Sequence, residues 1–256
     1  MILETIQSPA DLRRLSLTEL QSLAAELRER ITAVVSRSGG HLASNLGVVE
    51  LTLALHRVYD FASDHLVFDV GHQCYAHKLL TGRAAQFDTL RQEGGLSGYP
   101  NRQESPYDSF TTGHAGASIS TALGLALADK MAGRARRTVA VIGDGALGCG
   151  LALEGLNHAG TAKADLLVVL NDNQMCISGT VGALAQAFTH VRTSDLYRDL
   201  DQDLRRLVNT LPVVGSQVGT ALAAVKGAIK SAIVPDHAFE HFGFRVLGPI
   251  HGHNLK

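Results

Sequence analysis

The apolar run Thr138–Ile142 closes in Gly143-Asp144-Gly145 and the run Leu166–Leu170 closes in Asn171-Asp172-Asn173, with a helical pattern over Leu151–Thr161 between them. Strand, helix, strand at this spacing is a βαβ unit, whose strands pair in parallel. Both runs are apolar throughout instead of alternating, which is how strands read when helices cover a sheet on both faces. The expected fold is therefore α/β, a parallel sheet covered by helices on both faces. In open sheets of this kind ligands bind beyond the carboxyl ends of the strands, where the two polar loops lie.

The loops also constrain the chemistry. Mg²⁺ takes six oxygens and shares them between one or two side chains, water and phosphate, so an Asp and an Asn on adjacent strand ends suit a metal–diphosphate site. Gly143-Asp144-Gly145-Ala146-Leu147-Gly148 also fits the G-x-G-x-x-G pattern of dinucleotide-binding folds, with Asp172 as the ribose-binding acid. In that reading the Asp144 carboxylate meets the pyrophosphate, and like charges repel unless a cation separates them. The cation accounts for Asp144 and Asn173 together, whereas the nicotinamide reading accounts only for the glycines.

Other segments read around this unit. Ser16 and Glu19 form a capping box for a helix with apolar Leu20, Leu23, Leu27 and Ile31, ending near Gly39-Gly40. Val48–Val58 is a second helical pattern, and His65–Val70 is a short strand delivering its end to Gly71-His72-Gln73. Gly94–Pro106 is a connection without regular period, and Ser118–Ala132 is a helix whose small residues allow close packing. Ser194–Ile233 is helical and carries no chemical constellation, and Phe244–Leu247 is a final strand running into Gly248-Pro249-Ile250-His251-Gly252-His253. More protein is expected to follow so late a Gly/His loop.

Glycine–histidine loops recur. Gly113-His114-Ala115-Gly116 precedes a helix, so its amides and imidazole suit an anion at a positive helix end. Gly71-His72-Gln73-Cys74-Tyr75-Ala76-His77-Lys78 offers donors or a proton shuttle, and Ser38-Gly39-Gly40-His41-Leu42-Ala43-Ser44-Asn45 is a third such loop. Zinc is weighed for so many histidines and set aside, because Cys74, Cys149 and Cys176 lack paired spacing and none of the histidines is read as having the H-x-x-x-H helix spacing. The cysteines are expected as reduced thiols. The net charge of −1 gives no general attraction to nucleic acid or anionic membrane. With neither a basic leader and apolar core nor a run near the roughly 18 residues of a membrane span, a soluble, cytoplasmic protein is expected.

Together these residues resemble the thiamine-diphosphate enzymes, whose cofactor motif is Gly-Asp-Gly followed downstream by Asn. Gly39 to Leu51, Phe68 to Gln73, His77 to Arg83 and Gly94 to Pro100 resemble the 1-deoxy-D-xylulose-5-phosphate synthase family more closely, and that match runs from about residue 10 to the last residue. The resemblance implies a transketolase-like, thiamine-diphosphate-binding fold and a Mg²⁺-dependent transferase that condenses pyruvate with D-glyceraldehyde 3-phosphate, losing CO₂, on a route to isoprenoids and thiamine. It implies that Asp144, the Asn173 side chain and the Met175 carbonyl hold Mg²⁺, and that Asn173, Gly145 and Ala146 meet the diphosphate. Ser44, His72, Gly113, His114 and Ala115 would bind the cofactor, and His41, His72 and His253 would be the catalytic histidines.

Some positions depart from the family pattern. Ala115 stands where Ser is common, Val246 where an aromatic residue is usual, and His251 where the pattern has Asp. Residues 1–256 correspond to the diphosphate-binding domain alone, so a pyrimidine-binding domain in the same or another chain, and a homodimer, are implied partners. Negligible turnover is expected of this chain by itself. The alternatives are the matching domain of a transketolase and a non-catalytic cofactor-binding module.

Overall fold

Ser16 accepts a hydrogen bond from the Glu19 N–H at 3.3 Å while the Glu19 carboxylate accepts from the Ser16 N–H at 2.7 Å, so the expected capping box forms and opens helix α1, Leu17–Ser38. Gly39, at φ 73°, ends it. Leu20, Leu23, Leu27 and Ile31 fall on one stripe of α1 and are all buried, each worth roughly 1.5–3 kcal/mol of hydrophobic stabilisation.

The computed structural model describes residues 1–172, 237–248 and 250–255. The chain divides into two compact units, Met1–Ile177 with Gly248–Lys256, and Ser178–Leu247. In the second, the described part is a short helix, His237–His241, followed by irregular chain. Phe244–Leu247, expected as a strand, forms none, since so short an alternating run needs a neighbour's ladder and none pairs with it among the described residues. The expected helical stretch Ser194–Ile233 lies outside the described residues, as do Asn173, Met175 and Cys176.

In the first unit, α1 is followed by α2 (Leu42–Leu46), α3 (Val49–Val58), strand β1 (His65–Phe68), α4 (Tyr75–Lys78) and α5 (Ser118–Met131). Then come β2 (Thr138–Gly143), α6 (Asp144–Leu147), α7 (Gly150–Ala162) and β3 (Leu166–Asn171). The three strands are parallel in the order β1-β2-β3. Leu66, Phe68, Val139 and Val141 point into a core shared with α1 and α3, while Val67 and Ala140 point to the other face under Ala122 of α5. That division is the strand period of two, and Ala at positions 122, 126 and 140 lets helix and sheet approach closely.

Coverage on both faces thus holds for β2, buried along its apolar run, but only in part for β3, where Leu167 is 38% exposed. β3 is an edge strand among the described residues, so its outer side lacks a neighbour there. The segment Gly94–Pro106, expected to be irregular, contains no helix or strand. Among the described residues no helix is long and apolar enough to cross a membrane.

Candidate active site at the strand ends

Parallel register places Gly143 opposite Asn171, so Asp144 and Asp172 are the next residues on adjacent strands, at one edge of the sheet. The Asp69 N–H donates to the Val141 carbonyl at 2.7 Å, which brings the end of β1 to the same edge. Asp144 lies in the first turn of α6 and is half-buried, as is Ala146, while Gly145 is exposed. The two remaining expected metal ligands, Asn173 and the Met175 carbonyl, fall outside the described residues. Among those described, no cluster of three or more His, Cys, Asp and Glu side chains stands ready for a metal.

Zinc needs one correction from the sequence itself. His237 and His241, at the two ends of the short helix, do have one-turn spacing, which the reading of the histidines passed over.

Asp69, the first residue after β1, is buried, and its carboxylate accepts from the Gly116 N–H at 2.8 Å and the Ser118 N–H at 3.0 Å. The expectation that the loop before α5 offers that helix end to a ligand is therefore corrected. Amides at a helix start attract an anion, and the chain supplies its own. Gly113, His114 and Ala115 precede this cap and are exposed.

After Asp69 the backbone turns sharply. Val70 sits at φ 57° and Gly71 at φ 90°, and a left-handed β-branched residue costs of order 1–3 kcal/mol, strain that the Asp69 anchor helps to hold. A Cβ on Gly71 would lie 2.2 Å from Thr112 Oγ1 and 2.5 Å from Pro100 Cδ, so only glycine fits. The turn delivers His72.

His41, the residue before α2, meets His72 edge-to-face, their ring centroids 5.1 Å apart, and Tyr99 lies 6.3 Å from His41. Burial and the nearby Arg91 guanidinium hold His41 below the usual histidine range. Burial and the His41 imidazole likewise lower His72, against an opposing pull from Asp69. Both rings are therefore neutral near pH 7, each with one donor and one acceptor nitrogen. His72 Nδ1 is buried without a hydrogen-bond partner among the described residues, and so is Thr112 Oγ1, the kind of deficit a bound ligand or water satisfies.

Two residues that sequence reasoning did not assign sit at this pair. Asn45, within a quoted motif but given no role, donates to the His41 carbonyl at 2.6 Å and the His72 carbonyl at 2.8 Å. Arg91, in a left-handed turn at φ 63°, brings its charge near His41, and no periodicity marks it. Ser44, the residue before Asn45, is half-buried on α2.

The third expected histidine, His253, rests elsewhere. Its Nδ1 lies 3.0 Å from Glu50 Oε2, and Glu50 receives both Arg28 nitrogens at 2.7 Å. Burial pushes the Glu50 carboxyl up, but the hydrogen bonds from Arg28 and His253 outweigh it and hold it below the usual range. A carboxylate on Nδ1 favours the tautomer with the proton there, leaving Nε2 as the acceptor. His251, the departure from Asp, lies beside His253 with centroids 5.9 Å apart.

His77 and Lys78, expected as donors or a proton shuttle, instead face inward. His56 Nε2 lies 2.8 Å from His77 Nδ1, and His77 Nε2 lies 2.8 Å from Asp108. Asp108 also accepts from Arg83 at 2.7 and 3.0 Å and from the Asn101 N–H at 2.8 Å. Lys78 donates to Glu104, whose other oxygen accepts from the Ser97 N–H at 2.7 Å. With both histidines neutral, two acids balance two bases, and the group staples the loop carrying Tyr99 and Pro100 to α4.

Comparison with known proteins gives this arrangement a context. The family model described as 1-deoxy-D-xylulose-5-phosphate synthase matches residues 3–256. A curated protein of that description from Syntrophomonas wolfei is 50% identical over 254 residues, 99% of this chain and 40% of the relative. Another from Carboxydothermus hydrogenoformans is 51% identical over 255 residues, 100% of this chain and 41% of the relative. The chain thus spans about 40% of the length of such relatives. A solved transketolase from Campylobacter jejuni superposes with a TM-score of 0.57 at 23% identity, covering 66% of this chain and 30% of that one. At that identity the likeness concerns the fold, which is the transketolase-like α/β fold.

Proposed function

The chain belongs to the 1-deoxy-D-xylulose-5-phosphate synthase family, and from that membership we propose that it supplies the thiamine-diphosphate- and Mg²⁺-binding domain of an enzyme joining pyruvate and D-glyceraldehyde 3-phosphate, with loss of CO₂, into 1-deoxy-D-xylulose 5-phosphate. The observation that carries this reading is the pairing of Gly143 with Asn171, which sets the Asp144 loop beside the Asn171-Asp172 loop. In this reading Asp144, Asn173 and the Met175 carbonyl hold Mg²⁺, and Asn173, Gly145, Ala146 and the amides of Gly113, His114 and Ala115 receive the diphosphate. When bound, thiamine diphosphate supplies the electron sink for decarboxylation.

The residues of the chain do the positioning and proton handling. His72, with an unsatisfied buried Nδ1, hydrogen-bonds a polar group of the ligand, and Ser44 of α2 is a further cofactor contact. His41, neutral and exposed beside it, takes or gives a proton at the substrate. His253, its Nδ1 held by Glu50, presents Nε2. The pyrimidine-binding domain, in the same or another chain, and a second copy complete the working enzyme.

Calorimetric titration with thiamine diphosphate, with and without Mg²⁺, tests the reading. Asp144→Ala is expected to abolish the metal-dependent part of the affinity, and an unchanged metal dependence would show the cation to be placed wrongly.

A further inference from the structure

We infer that Asn45 is a positioning residue that locks His41 and His72 into one unit, by bonding the main chain of both and of Tyr75 through a single side-chain amide. Asn45 is fully buried, at 0% exposure. One of its amide hydrogens goes to the His41 carbonyl at 2.6 Å and the other to the His72 carbonyl at 2.8 Å, while its oxygen accepts the Tyr75 N–H at 2.8 Å. The last bond caps the first residue of α4, as a side-chain oxygen does at a helix start.

The geometry selects this residue type. Two donors and one acceptor on one planar group, without charge, describe Asn and Gln alone, and Gln is one methylene too long for a site in which all three partners are main chain. An aspartate would put oxygen against two carbonyl oxygens, and a hydroxyl cannot reach all three groups. Removing the amide leaves two part-buried carbonyls and one buried N–H without this partner, which frees the loops Gly39–His41 and Gly71–Cys74 to separate.

The consequence falls on the rings. With their carbonyls pinned to one group, the imidazoles stay 5.1 Å apart, and His72 feels the charge of His41 and of Asp69 while Arg91 acts on His41. A protonated His41 disfavours the charged form of His72, so removing that ring lets the His72 midpoint rise. That shift reports the pairing directly, where thermal stability alone would not.

The experiment follows the imidazole titrations of the full chain by NMR. His41→Asn is expected to raise the midpoint of His72 in the otherwise unchanged chain, and to raise it by less than half as much when Asn45→Asp is also present. An undiminished shift in the Asn45→Asp background would overturn the inference, whatever that variant loses in stability. Should Asn45→Asp fail to fold, the unaltered chain decides. Both Asn45 side-chain amide protons are expected to exchange slowly and to show couplings to the carbonyl carbons of His41 and His72, and exchange at the rate of an exposed amide would overturn the inference. The catalytic meaning of the lock rests on the proposed thiamine-diphosphate site, but the titration needs no cofactor, so failure here is distinct from failure of the calorimetric test.

Discussion

Asp108→Asn removes one charge and almost no volume, and the structure makes it a severe change. The two carboxylate oxygens accept four donors: His77 Nε2, both terminal nitrogens of Arg83 and the Asn101 N–H. Burial pushes the carboxyl up, yet the hydrogen bonds from His77 and Arg83 hold it far below the usual carboxylate range, so it is ionised in the folded chain. A carboxamide has one oxygen. In one flip its NH₂ faces Arg83 and the Asn101 N–H, and in the other it faces His77 and the second Arg83 nitrogen. A tautomer change along His77 and His56 relieves only the first of that second pair. Arg83, 4% exposed, keeps the more distant Glu104 at 3.5 Å. Leaving one partner of a buried pair uncompensated costs about 3–5 kcal/mol, against a total stability of roughly 5–15 kcal/mol for a domain. Urea unfolding at pH 7.5, followed by tyrosine near-ultraviolet circular dichroism, is expected to show a lower midpoint at unchanged slope, equivalent to a loss of about 4 kcal/mol. A loss below about 1 kcal/mol would refute the claim that this network anchors the loop.

Two further outcomes follow from the same unit. Burial lowers both His56 and His77, so below the unfolded histidine value near pH 6.5 the unfolded chain binds protons that the folded chain refuses, and stability falls as pH drops. The slope reaches about 1.4 kcal/mol per pH unit for each histidine, and equal urea midpoints at pH 7.5 and 5.5 would contradict it. The Asp108 contribution runs in the same direction in a lower window, fully present above about pH 3.9 and lost only in stronger acid. Gly71→Ala places a methyl against Thr112 and Pro100 at a positive φ, so it is expected to destabilise by at least about 2 kcal/mol and to weaken thiamine-diphosphate binding through His72. Retention of both properties would show that the turn relaxes without cost.

Local signals in the sequence accounted for the elements and for the edge where the site lies. The apolar runs became β2 and β3 with one added residue each, Gly143 and Asn171, because a parallel partner extends the ladder to the loop. The capping box set the start of α1, and Gly39 its end. What stayed hidden depends on contacts between distant residues. His65–Val70 reads as a strand to its end, but after the last ladder bond, from the Asp69 N–H, the Asp69 side chain binds the start of α5, 47 and 49 positions away, and Val70 turns left-handed. His77 and Lys78 look like surface donors because nothing nearby in sequence announces Asp108 and Glu104, which bind them. Asn45 escaped notice for a similar reason, since an amide's role is decided by the carbonyls it meets.

The tethered carboxylate of Asp69 has a bearing on affinity. A phosphate diffusing to this edge competes for the α5 terminus with an anion already immobilised there, present at an effective concentration no free solute matches. Under the proposed reading, α5 contributes little attraction, and most of the counter-charge for a pyrophosphoryl tail must come from a dication. Uptake of such a coenzyme would then be metal-obligate, with magnesium serving as the gatekeeper of occupancy and not merely its reinforcement.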